Sequence, residues 1–329
     1  MGGGSYSAST YDAVRSYNST HGIDDFVYAA SGATTTHESL DVKGKGLDGK
    51  GATRESRDSA EHPLSLPIAI FEDVTGSMAS VPRLLLDKLP QLQGLLQRKG
   101  YATDPQIMFA AIGDATVDSA PLQVGQFESD NRMDSDLTNL LLEGGGGGGR
   151  QESYELALYF LARHTATDSW EKRGHRGYAF IIGDEMAYPF VKRAEVAEHI
   201  GDTLQDNIPL QEILDEVRQK WDIYYILPEG ASYVGDAEHL AFWRGLLGQN
   251  VIELGSLDAV CETIALTIGL AEGTTDLTTG LSDLKDVGSS SGDVVSRALA
   301  TIGSATGRGG VVAAPPPGAL DAPSGSERL

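Results

Sequence analysis

Between residues 66 and 270 the chain repeats one pattern, a short continuously apolar run followed by a longer segment with large apolar residues at helical spacing. The run Leu66-Pro67-Ile68-Ala69-Ile70-Phe71 opens the series, and a stretch apolar at every position suits a strand buried on both faces. Behind it, Ser80 and Pro82 open a segment carrying Leu84, Leu85, Leu89, Leu92, Leu95 and Leu96, which predicts a helix that Pro90 kinks or divides. The pattern then predicts strands over 106–112, 121–127, 178–182, 223–227 and 251–254, and helices over 152–164, 211–221, 237–247 and 257–270. Strands alternating with helices imply an α/β fold: a doubly wound, mostly parallel sheet of roughly six strands with helices on both faces. Residues around Pro121 and Gln123 are the candidate antiparallel edge.

The flanks have a different texture. Residues 1–64 alternate small polar and charged side chains, and in the lysine- and glycine-rich run 43–53 Leu47 is the only large apolar residue. So little burial cannot offset ordering entropy, and an extended, poorly ordered arm is expected there. Residues 65–272 form the expected domain, and 273–329 the expected tail, a short helix over 293–302 followed by a disordered Gly- and Pro-rich end. The net charge is -22 with a pI near 4.6, which repels a phosphate backbone and an anionic membrane surface and excludes nucleic acid as a partner. Cys261 is the only cysteine, so neither an internal disulfide nor a cysteine zinc cage is possible. The amino terminus lacks the basic segment and apolar run of a secretory signal, and Tyr6 stands where N-myristoylation wants Ser or Thr. A cytoplasmic location without membrane contact is the expectation.

Chemistry concentrates in Asp73-Val74-Thr75-Gly76-Ser77-Met78, directly behind the first predicted strand and ahead of the first helix. In open α/β sheets ligands bind in the crevice at the carboxyl ends of the strands, and oxygens at i, i+2 and i+4 in such a loop can converge on a hard cation such as Mg²⁺. This segment resembles the metal-ion-dependent adhesion site of von Willebrand factor A domains, with its D-x-S/T-x-S motif; the DxTGSM form is that of bacterial members. The resemblance covers residues 66–272. It implies a cation (Mg²⁺, or Mn²⁺ or Ca²⁺) held by Asp73, Thr75 and Ser77, with Asp73 acting mostly through bound water, and by Asp184 in Phe180-Ile181-Ile182-Gly183-Asp184-Glu185. The family's loop Thr has no counterpart in the glycine run 144–149, and Glu152 or the loop backbone is the candidate replacement. The resemblance further implies capture of a protein partner whose Asp or Glu completes the metal shell, with MoxR-type AAA+ ATPases or stress-response assemblies as examples.

Each residue also has a plainer reading. Asp73 or Ser77 can cap the first helix, Asp184 a turn, and Glu152 can be a solvated acid at a helix amino terminus. Asp114, ending the second strand, can be a turn residue or an outer neighbour of the cation. A haloacid dehalogenase-like phosphoryl transfer with Asp73 as nucleophile is the enzymatic rival, although Thr75 replaces that family's second Asp and Tyr188 stands where a late acid is needed. A metal-independent structural subunit is the third reading. No Gly-Lys-Ser/Thr follows the glycine run, no His-Glu-x-x-His pair occurs, and no Gly-x-Ser-x-Gly surrounds Ser77, so P-loop, zinc-hydrolase and serine-hydrolase chemistry lack their usual context.

Overall fold

The computed structural model describes residues 4–43, 52–144 and 149–303. Its centre is a six-stranded sheet of β1 (Leu66–Asp73), β2 (Pro105–Ile112), β3 (Leu122–Val124), β4 (Gly177–Ile182), β5 (Trp221–Pro228) and β6 (Val251–Leu254). The order across the sheet is β6-β5-β4-β1-β2-β3, and every neighbouring pair is parallel except β2 with β3. Gln123 on that short antiparallel edge strand exchanges two hydrogen bonds with the Leu141 backbone, so its inner position is satisfied without a further strand.

All eight residues of β1 are buried because the sheet is covered on both sides. Ile68 and Ile70 face one core, shared with α2 (Val81–Gln93), α6 (Val260–Ala271), α7 (Leu277–Asp286) and α8 (Gly292–Gly303). Ala69 and Phe71 face the other, built from α3 (Tyr154–Arg163), α4 (Leu210–Lys220) and α5 (Ala237–Leu247). Strand positions thus alternate between two separate apolar layers, the arrangement an uninterrupted apolar run requires.

Residues expected as an extended arm hold instead a 14-residue helix, α1 (Ala8–His21). Ser7 caps its start by accepting from the Thr10 amide, and Gly22 ends it at φ 64°, a conformation that glycine adopts without strain. Burial of three widely spaced side chains, Tyr11, Phe26 and Leu40, is the physical reason this segment orders. Arg83 of α2 also lies over the Phe26 ring at 4.8 Å and pairs with Asp24.

Tyr11 has a second task. Pro90 lies inside α2 and has no N–H to donate to the carbonyl of Leu86, four residues back. The Tyr11 hydroxyl donates to that carbonyl at 2.9 Å, and the helix passes through the proline and widens into a π-type turn over Gly94–Arg98. In the predicted tail the expected short helix over 293–302 is α8, and it packs together with the unpredicted α7, placing Leu284, Val295 and Leu299 in the first core. The run 43–53 over residues 44–51, and the end of the chain from 304, lie outside the described residues.

Candidate metal centre

Asp73 is the last residue of β1, and Asp184 follows β4, the adjacent parallel strand, after Gly183. Both acids therefore emerge at the carboxyl edge of the sheet, where the strand order turns from β1 toward β4. Asp73 Oδ1 accepts from the Thr75 amide at 2.8 Å and from Thr75 Oγ1 at 2.6 Å, and its Oδ2 accepts from the Tyr154 hydroxyl at 2.7 Å. A single tight turn over Gly76–Met78 then carries Ser77 across to Asp184, whose Oδ2 accepts from Ser77 Oγ at 2.8 Å and from the Ser232 amide at 2.5 Å. Asp73, Thr75, Ser77 and Asp184 are thereby linked pairwise, and neither Asp73 nor Ser77 caps α2.

Glu185 joins this group. One carboxylate oxygen from each of Asp73, Asp184 and Glu185 lies within 4.8 Å of the others, and this is the one such group of three potential ligands among the described residues. Asp73 and Asp184 are fully buried and Glu185 nearly so. Asp184 Oδ1 and Glu185 Oε2 are buried and accept from no N–H or hydroxyl group; Glu185 lies within hydrogen-bond reach of the Asp184 and Asp73 carboxylates. Orphaned carboxylate oxygens are costly and rare, and a set of hard oxygen donors with unused lone pairs could hold a metal ion.

Glu152 reaches the same edge by another route. Gln151–Glu152 pairs in parallel with Met186–Ala187, just behind Glu185, and Tyr154 opens α3 two residues on. Glu152 is buried with Oε2 unpartnered, but it stands outside the close trio. It is therefore buried rather than a solvated acid at the start of a helix. Of the glycine run leading to it, residues 145–148 fall outside the described residues. Asp114 repeats the Asp73 turn on the neighbouring strand: its Oδ1 accepts from the Thr116 amide and hydroxyl, and the Tyr188 hydroxyl donates to its carboxylate at 3.2 Å.

So many acids in a dry crevice resist ionisation. Burial, together with the neighbouring Asp184 and Asp73, drives Glu185 far above the ordinary carboxylate range. Burial and then Asp73, Asp114, Asp118 and Asp184 push Glu152 up to about 9. Asp73 is raised by burial too, against the hydrogen bonds from Thr75 and Tyr154 that favour its anion. A cation at this point would reverse the balance, since the same carboxylates would ionise to hold it.

Two parts of the site lie outside the motif. Glu185 is adjacent to Asp184, and its acidity is the only sequence signal for it. Tyr154 has none, although a Cβ on Gly183 would sit 2.1 Å from its hydroxyl oxygen, so glycine at 183 is what lets the tyrosine reach Asp73.

No protein-family model and no curated protein matches this sequence. Among solved structures, the pilus adhesin SpaC from Lactobacillus rhamnosus GG in its open conformation is similar over 68% of this chain and 31% of its own, at 10% identity and TM-score 0.44. Proximal thread matrix protein 1 from the mussel byssus is similar over 62% of this chain and 47% of its own, at 9% identity and TM-score 0.40. This chain thus spans less than half the length of either, and likenesses this distant carry no argument about function.

Proposed function

We propose that this chain is a doubly wound module of the von Willebrand factor A type that holds one divalent cation, Mg²⁺ or in its place Mn²⁺ or Ca²⁺, and uses it to capture a protein partner. The reading is carried by the convergence of Asp73, Asp184 and Glu185 oxygens within 4.8 Å, with Asp184 Oδ1 and Glu185 Oε2 buried and reached by no N–H or hydroxyl donor. The strand order, with its turn between β1 and β4, supports the doubly wound part. Thr75 and Ser77 supply hydroxyl oxygens beside the acids, and the Tyr154 hydroxyl holds Asp73 in place by donating to its Oδ2. When bound, the cation supplies a positive anchor for a partner's Asp or Glu on a surface that would otherwise repel it. The family resemblance suggests MoxR-type AAA+ ATPases or stress-response assemblies in the cytoplasm as such partners. No helix among the described residues is long and apolar enough to cross a membrane.

Calorimetric titration of the full chain with Mg²⁺ and Mn²⁺ tests this. The wild type should bind one ion, and Asp73→Ala should weaken binding by about 100-fold while leaving the circular dichroism spectrum intact. A wild type that gives no heat with either ion, or a partner retained equally in EDTA and by Asp73→Ala, sinks the reading. Metal-dependent hydrolysis of a generic phosphomonoester, lost in the same variant, would favour phosphoryl transfer instead.

A further inference from the structure

The Glu185 peptide is anchored more heavily than a loop residue beside a ligand crevice needs to be. Its carbonyl lies 2.9 Å from Trp243 Nε1, 3.1 Å from His239 Nε2 and 3.3 Å from the Tyr225 hydroxyl, three groups from β5 and α5. The Trp243 and Tyr225 rings stack with centroids 4.0 Å apart, and Tyr154 packs edge-on against both. All three aromatic side chains are fully buried. A cradle of this kind fixes a backbone position closely, and with it the direction in which the side chain leaves. That side chain ends beside Asp73 and Asp184, with one buried oxygen that no N–H or hydroxyl donor reaches.

Charge counting gives the arrangement a meaning. Two carboxylates, Asp73 and Asp184, suffice to neutralise a divalent ion. A third from Glu185 leaves the loaded centre at one negative charge, and a fourth from a partner would add to that in a nearly dry crevice where like charges repel strongly. Replacing Glu185 by a partner's carboxylate, in contrast, leaves the charge of the ion's shell unchanged, with the released Glu185 carboxylate turning out to solvent from its position at the crevice edge.

We infer that Glu185 is an internal ligand, which completes the cation's shell from within the chain so that an outside carboxylate is captured only by exchange for it. This rests on the cation-binding reading above and adds a regulatory step to it: the resting module is self-closed, and a partner must displace Glu185 from the ion. An acidic ligand would then bind weakly unless further contacts with the surrounding loops assist the exchange.

The test uses the full chain with Mn²⁺ as the ion and acetate as the carboxylate probe. Free Mn²⁺ is counted by electron paramagnetic resonance, and rapidly exchanging waters on the bound ion by proton relaxation. Glu185→Gln should weaken Mn²⁺ binding about tenfold or more and raise the hydration of the bound ion by about one water. Acetate should lower that hydration in Glu185→Gln and leave the wild type unchanged. Glu185→Asp, which keeps the charge on a shorter arm, should fall between the two in affinity. Unchanged affinity and hydration in Glu185→Gln would overturn the inference while leaving the cation site standing. A wild type that binds no Mn²⁺ would bring down the cation reading itself and this inference with it. Near-ultraviolet circular dichroism, sensitive to the Trp243–Tyr225 stack, checks that the variant is folded. The wild type decides the matter alone if the variant is not: a bound ion with several exchanging waters that acetate displaces contradicts self-closure.

Discussion

Asp73 has both carboxylate oxygens engaged by side chains of its own fold, one by Thr75 and one by Tyr154. Such engagement orients a ligand and narrows its rotamers, as outer hydrogen bonds do around metal centres generally. The geometry depends on Gly183, because a methyl group there would occupy the position of the Tyr154 hydroxyl. Gly183→Ala should therefore cost about 1–3 kcal/mol in denaturant unfolding. Part of that cost should vanish when Tyr154→Phe is also present, since the hydroxyl is the nearest obstacle, while the ring carbons at 2.8 and 2.9 Å remain in the way. Fully additive effects of the two substitutions would show that they do not act through each other.

The same scale exposes what the sequence did and did not make visible. Asp73, Thr75, Ser77 and Asp184 were legible because a spaced motif and a strand-ending aspartate have recognisable positions in an α/β chain. Glu185 and Tyr154 were not: one is an acid whose direction depends on a buried cradle, and the other a tyrosine indistinguishable from any core aromatic of a helix.

Among the elements, those with strong local patterning read well. The helix predicted over 237–247 coincides with α5, and the strand over 251–254 with β6. The strand predicted over 121–127 shrinks to Leu122–Val124 as an antiparallel edge, where pairing with only one neighbour sets its length. Helix α1 is not legible in the sequence because it has no apolar stripe; only the Ser7 and Gly22 caps mark its ends, and its anchors are single residues held by distant partners. One of these anchors carries a prediction. Tyr11→Phe leaves the Leu86 carbonyl unpaired inside the molecule, which should cost about 1–3 kcal/mol. Adding Pro90→Ala, which restores an N–H for that carbonyl, should recover part of the loss in thermal melting. No recovery would mean that the hydroxyl and the proline are unrelated.

At the scale of the whole molecule the excess of acid shapes the response to pH. Burial raises Asp134 to about 6 and Asp136 to about 7, and Glu152 stands near 9. A folded-state value above the unfolded one favours the protonated form. Its contribution is thus complete below the unfolded value, near 4, and is lost as pH rises through the folded value. Asp58, lowered by hydrogen bonds from Arg173, Ser65 and Lys172 despite its burial, has the opposite sign and matters only in more acidic solution. In EDTA, the melting temperature should accordingly fall between pH 5.5 and pH 8.5, and Asp136→Asn should flatten the part of that fall near pH 7. Saturating Mg²⁺ should reduce the alkaline part, because an ion that binds only the folded state stabilises it by about 2.7 kcal/mol at 100 times its dissociation constant. A melting temperature that rises with pH in EDTA would contradict this assignment of charge.

Trimming the chain to its repeating core would look harmless from composition, since the first sixty residues are polar and poorly patterned. Yet the hydroxyl that closes the gap in α2 comes from that stretch, and α2 begins four residues after Ser77. A shortened protein that failed to take up magnesium would, on the proposed reading, be reporting a weakened helix behind the Asp73 turn rather than a fault in the proposed ligands themselves. Experiments on this molecule belong on its full length.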